Sequence, residues 1–316
     1  MQLRGDQPRY RLWPGRSLAG LVAYSDPMFS QVRSSRRWLK PVAPRAVATT
    51  RTAPAFLLLV CLVCTGLAGL LSAAPAGAVA VAHATTPSPL RTSCKEVAHL
   101  GDSTSDGLVS ADYLPDPSQR LAAQYARVGV TRSVMEIVGA NSIVETLPGD
   151  EDGYQIAEGL VRQGYRGCWV IALGTNDTAD VYVGSHVGLA TRIKRMMSVI
   201  GNEPVLWVNL RTLLSSGPYS ESDMELWNQA LLAACPSYPS MRVFNWAALA
   251  QPAWFTTDGI HYTSSGAAPR AAAIADALAT AFPATAGHNA PNSDQNSAAR
   301  CLVNPSPSWH LPTFQY

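Results

Sequence analysis

Five short apolar runs, separated by stretches with helical spacing, constrain this chain more than any other feature. The runs are 97–100, 134–138, 169–173, 205–210 and 243–246. Each is bounded by Gly-rich or polar turns, and each is close to continuously apolar rather than alternating. Between them lie Gln119–Arg127, Ile156–Gln163, Leu189–Ile200 and Met224–Ala234, and an Ala-rich stretch, Ala267–Phe282, follows the last. Strands that need apolar partners on both faces, alternating with helices, argue for a parallel sheet covered on both sides. Ser118 reads as the cap of the first helix. Arg192, Lys194 and Arg195 read as the wet face of the third.

The region before residue 94 has another character. Residues 1–54 carry ten Lys/Arg against two Asp/Glu, whereas the rest of the chain carries fourteen against twenty. The basic surplus therefore belongs to the N-terminal segment, and nothing in the following domain suggests a nucleic-acid footprint. No charged residue occurs from Thr52 to Ala82. A charge-free segment (55–84) behind a basic flank reads as an export element that leaves 1–54 in the cytoplasm and the rest outside. It is either a retained anchor or a signal peptide cut at a small-x-small site such as Ala76-Gly77-Ala78 or Ala82-His83-Ala84. A Pro/Thr/Ser linker (85–93) joins it to a domain expected over 94–283. A polar tail (284–316) is expected to be an irregular strap or partly disordered.

Four turns after strands hold residues that can do chemistry. The first strand runs into Gly101-Asp102-Ser103-Thr104-Ser105-Asp106-Gly107, at the strand edge where open α/β sheets place their ligands. The second runs into Gly139-Ala140-Asn141, where Gly139 can offer a backbone N–H with no side chain in the way. The third runs into Gly174-Thr175-Asn176-Asp177, where the Asn176 amide can point at a developing oxyanion. After the fifth comes Asp258-Gly259-Ile260-His261. In a tight turn an Asp three residues before a His reaches one ring nitrogen and leaves the other free for a hydroxyl. Taken singly, each stretch is also explained as an ordinary capped turn. No His/Cys/Asp cluster has metal-ligand spacing, so neither a metal nor another cofactor is expected.

Taken together and in this order, Gly101-Asp102-Ser103, Gly139, Gly174-Thr175-Asn176-Asp177 and Asp258-x-x-His261 resemble the four blocks of the SGNH (GDSL-type) hydrolase family. The resemblance covers roughly residues 94–283. It implies a flavodoxin-like three-layer α/β/α sandwich with a five-stranded parallel sheet. It also implies Ser103 as nucleophile, His261 as general base and Asp258 as its orienter. The Ser103 N–H, the Gly139 N–H and the Asn176 side chain would then form the oxyanion hole. The chain departs from the family's second block around Val138-Gly139-Ala140-Asn141-Ser142. An α/β-hydrolase elbow fits less well, since it requires Gly two residues after the Ser, where this chain has Ser105.

The resemblance extends to the extracytoplasmic domains of bacterial envelope O-acyltransferases, which act on acyl groups of cell-wall glycans or glycolipids. An acyl-ester substrate, carried by envelope carbohydrate or glycolipid, is the expected partner. Trp254, Phe255 and Tyr262 flank the Asp258–His261 turn and read equally as an aromatic wall for substrate or as core. A membrane-tethered module that only binds envelope glycan or a protein partner is the alternative, and it would not need the complete set of Ser103, Asn176, Asp258 and His261. Finally, if the resemblance holds, the first and third strands are neighbours. Cys94 and Cys168 then start almost level and are expected to pair, leaving Cys235 with Cys301.

Overall fold

The computed structural model describes residues 90–284 and 300–304. The basic segment, the charge-free export segment and most of the linker and tail lie outside the described residues. No helix among the described residues is long and apolar enough to cross a membrane.

Six strands form one parallel sheet: β1 (Glu96–Gly101), β2 (Arg132–Ile137), β3 (Cys168–Ala172), β4 (Val205–Val208), β5 (Met241–Phe244) and β6 (Leu302–Val303). Their order is β2-β1-β3-β4-β5-β6. The first five follow the flavodoxin-like winding, in which the direction of strand addition across the sheet reverses between β1 and β3. The helices are α1 (Leu121–Arg127), α2 (Gly153–Arg162), α3 (Thr175–Tyr182), α4 (Leu189–Ile200), α5 (Glu221–Ala234), α6 (Trp246–Leu249) and α7 (Ser264–Ala281).

The inner strands β1, β3, β4 and β5 bury both faces, which is why they read as continuous apolar runs, whereas the edge strand β2 is only partly buried. In β3, Val170 and Ala172 join the core shared with Leu121 and Tyr125 of α1 and Ala271 and Ile274 of α7. Trp169 and Ile171 point the other way, into the core shared with Ile156 of α2, Ile193 and Met196 of α4 and Trp227 of α5. Alternate residues of one strand thus serve two separate cores, and the result is three layers.

Four expectations need correction. The sheet has six strands rather than five, because the tail returns and pairs Leu302 and Val303 with Val243 and Phe244. Two residues are too few to show a period. Trp246 does not end β5; it begins α6, and its indole N–H donates to the Tyr262 hydroxyl at 2.7 Å. Ser118 does not cap α1. Asp116 instead caps a 3-10 turn by accepting from the Ser118 N–H, and α1 begins only at Leu121. Arg192 does not lie on the wet face of α4: it is fully buried, while Lys194 and Arg195 are exposed.

Both expected disulfides are present. Cys94–Cys168 and Cys235–Cys301 have Cα separations of 5.7 and 5.9 Å. The register behind the first differs by a few residues from the count by strand ends. Gly101 pairs with Ala172 rather than Gly174, so the strand partner of Cys168 is Val97. Cys94 reaches it from just before β1. The second bridge anchors the residue immediately before β6 against the end of α5.

Candidate active site

The carboxyl edge of the sheet collects the turns singled out by sequence. After β1, Asp102 caps a 3-10 helix, Ser103–Leu108, and its Oδ1 accepts from Thr104 N at 2.9 Å and Thr104 Oγ1 at 2.7 Å. As the first helical residue, Ser103 has no intrahelical carbonyl for its own N–H. Gly101 is required here, since a Cβ would sit 2.6 Å from Ser105 Oγ. Ser105 is fully buried and Ser103 is not, which leaves Ser103 as the accessible hydroxyl of the pair.

The turn is held from below by α7. Arg270 is buried, donates from Nη1 to the Thr104 carbonyl and hydroxyl, and lies over the Tyr262 ring at 4.7 Å and the Trp246 ring at 5.7 Å. Phe255 and Tyr262 are buried members of the core, and Tyr262 serves as a platform for Arg270. Trp254 is only half-buried and stacks on Trp246 at 5.7 Å.

The last turn folds around one carboxylate. Asp258 Oδ1 accepts from Thr256 Oγ1 at 2.6 Å, Ile260 N at 2.8 Å and His261 N at 3.0 Å. Its Oδ2 lies 2.7 Å from His261 Nδ1. Partial burial works the other way, but these hydrogen bonds hold the Asp258 carboxyl well below the usual carboxylate range. A charged Asp258 can only accept, so it places the imidazole proton on Nδ1. Nε2 is left as a bare acceptor, and it lies 2.8 Å from Ser103 Oγ. A continuous chain therefore runs from Asp258 through His261 to Ser103.

After β3, Gly174 precedes α3 with φ 135°, a conformation that L side chains rarely adopt, and a Cβ there would overlap the Trp227 indole. This tight entry puts Asn176 in the first turn of α3. Its Nδ2 donates to the Asn141 carbonyl at 3.0 Å. Asn176 is thereby joined to the loop after β2 that contains Gly139. Gly139 itself is exposed, and a Cβ built on it would meet nothing within 4 Å. No close packing calls for glycine at that position; the neighbouring Ala140 takes the left-handed conformation instead, with φ 56°.

Sequence reasoning missed the support of this loop. Asp177 Oδ1 accepts from Ile143 N at 2.9 Å and pairs with Arg192 Nη1 at 3.0 Å. Arg192 also meets Glu145 and, at 2.8 Å, Ser185 Oγ. It missed Tyr219 as well, whose hydroxyl lies 3.3 Å from Asn176 Oδ1. These partners are distant in sequence, so no local spacing announces them. Among the described residues there is no group of three or more His, Cys, Asp or Glu side chains that could hold a metal ion.

No protein-family model matches the chain, and no curated protein sequence matches it. Solved structures to which it is similar include a carbohydrate acetylesterase from Sinorhizobium meliloti, at 18% identity and a TM-score of 0.46, over 60% of this chain and 100% of that one. It is also similar to the inhibitor-bound aryl esterase of M. smegmatis, at 18% identity and a TM-score of 0.44, over 59% and 97% of the two chains. A third is the C-terminal catalytic domain of peptidoglycan O-acetyltransferase A from Streptococcus pneumoniae, at 14% identity and a TM-score of 0.41, over 59% and 92%.

Proposed function

We propose that this chain is a serine ester hydrolase or acyltransferase that works through an acyl-enzyme on Ser103. The observation that carries the reading is the unbroken chain Asp258 Oδ2–His261 Nδ1 and His261 Nε2–Ser103 Oγ, at 2.7 and 2.8 Å. Ser103 Oγ attacks the acyl carbonyl while its proton passes to His261 Nε2, and Asp258 stabilises the imidazolium that forms. The carbonyl oxygen, now anionic, is received by the Ser103 N–H, the Gly139 N–H and the Asn176 Nδ2–H. Collapse expels the alcohol, which takes the proton from His261. Water, or an acceptor hydroxyl, then attacks the acyl carbon as its proton passes to His261, and that proton returns to Ser103 Oγ as the acyl group leaves. No cofactor enters any step.

The same proposal puts the activity outside the cytoplasm, with envelope glycan or glycolipid as the acyl carrier. Two disulfides support that placement, because such bridges persist in oxidising compartments. The charge-free segment behind a basic N-terminus supports it from the sequence. The chain is tested by steady-state turnover of a short-chain aryl ester, with and without glycan acceptors. Ser103→Ala is expected to lower kcat by about three orders of magnitude or more while the domain stays folded. Turnover like that of the wild type in folded Ser103→Ala would overturn the assignment. An acceptor that competes with water for the acyl group would select transfer over hydrolysis.

A further inference from the structure

Tyr219 lies in the connection between β4 and α5, half-buried against the core that contains Trp207 and Trp227. Its hydroxyl is 3.3 Å from Asn176 Oδ1. A carboxamide presents an acceptor on one edge and two donors on the other, and rotation by half a turn exchanges them. At Asn176 both edges are decided. The Asn141 carbonyl, 3.0 Å away, can only accept, so the edge facing it is the Nδ2 edge. Oδ1 then faces a phenol that can donate. With one Nδ2 hydrogen committed to Asn141, the other remains for a developing oxyanion.

We infer that Tyr219 is a positioning residue for the oxyanion hole: by donating to Asn176 Oδ1 it holds the amide plane from the side opposite Asn141. The inference rests on the acyl-enzyme reading. Donation into the amide oxygen also polarises the N–H groups at its other end, so the contact strengthens the donor as well as aiming it. Tyr219 is itself held. The Thr212 hydroxyl donates to the Tyr219 carbonyl at 2.8 Å, and Thr212 N donates to the Glu221 carboxylate at 2.6 Å. A bridge joins Leu214 to Ser220, the residue that caps α5. The connection that presents the phenol is thus tied at both ends and not a free loop.

The test is a double-mutant cycle on the full chain with Tyr219→Phe, Asn176→Ala and the pair, reading kcat and KM separately on a short-chain aryl ester. Tyr219→Phe is expected to lower kcat roughly 3- to 10-fold, the scale of one neutral hydrogen bond, with KM unchanged. Asn176→Ala is expected to lower kcat by about 10²–10³. The double variant is expected to match Asn176→Ala, because the effect of Tyr219 on turnover passes through that amide. Affinity for a boronic acid that forms a tetrahedral adduct on Ser103 provides a second readout, and it should weaken by the same factor as kcat. A Tyr219→Phe protein with the kcat of the wild type, or losses that multiply in the double variant, would overturn the inference. A wild-type chain without ester turnover would instead remove the acyl-enzyme reading, and the role of Tyr219 with it.

Discussion

Arg192 Nη1 lies 3.0 Å from Asp177 Oδ1, and neither side chain has exposed surface. The pair joins α4 to α3, and Asp177 adds the Ile143 backbone N–H, so three segments beside the oxyanion loop meet at one carboxylate. Burial pushes Asp177 up to about 7, against the opposing pull of Arg192 and of the Ile143 N–H. Asp180 and Glu145 also face the same guanidinium, at 3.6 Å for Asp180. One cation thus serves three acids next to the residue that would stabilise the transition state.

Removing that cation leaves the fully buried Asp177 without its counter-charge, while Glu145 and Asp180 keep exposed surface. Arg192→Met is expected to destabilise the domain by about 3 kcal/mol, the low end for breaking a buried pair, because Asp177 readily takes up a proton in response. Chemical denaturation measures it. Lys194→Met, on the exposed side of the same helix, is the control and should change stability by no more than about 0.5 kcal/mol. Equal effects of the two substitutions would contradict the placement of Arg192.

Asp258→Asn separates orientation from architecture. An asparagine keeps an oxygen for the Ile260 and His261 backbone N–H groups, so the turn should persist. It no longer forces the imidazole proton onto Nδ1. A fall in kcat of about 10⁴, with an unchanged thermal midpoint, is expected by analogy with other serine triads. A loss smaller than about tenfold would remove Asp258 from its orienting role.

His99 supplies a pH signature independent of catalysis. It is fully buried, its Nδ1 lies 2.9 Å from the Tyr125 hydroxyl, and burial, with some help from Arg270, lowers its pKa to about 3. The unfolded chain binds a proton at this residue below about pH 6.5, whereas the fold does not until about pH 3. Stability from this group is therefore complete above about 6.5 and is lost on acidification toward 3, with a limiting slope of about 1 kcal/mol per pH unit. Asp177, raised by burial, acts with the opposite sign over part of the window. The measurement is accordingly the difference in stability between wild type and His99→Phe from pH 6.5 down to 4. That difference should shift steadily against the wild type as pH falls; a flat difference would contradict a neutral, buried His99.

The turns of the candidate site could be read from sequence because each is organised locally, although the contact that joins them, Ser103 to His261, is long-range. Asp258 and His261 are three residues apart, and Asp102 caps the helix that begins at Ser103. The inner strands were legible because both of their faces are buried, so their apolar character is continuous. What sequence missed is long-range. A charge on a helix such as Arg192 reads as solvent-facing until its acceptors arrive from residues 145, 177 and 185. Phe255 and Tyr262 sit beside the His261 turn in sequence, yet local order does not say which way a ring points; Arg270, from α7, decides it. β6 escaped because two residues carry no period, although Cys301 marked the place where the tail is fastened.

The central claim is that Ser103, activated by His261, is the nucleophile. Incubating the purified full chain with a fluorophosphonate, then locating the adduct by peptide mass spectrometry, tests it most directly. A single adduct on Ser103 is expected, formed far more slowly in His261→Ala. No adduct, or an adduct on another residue with Ser103 unmodified, would contradict the account.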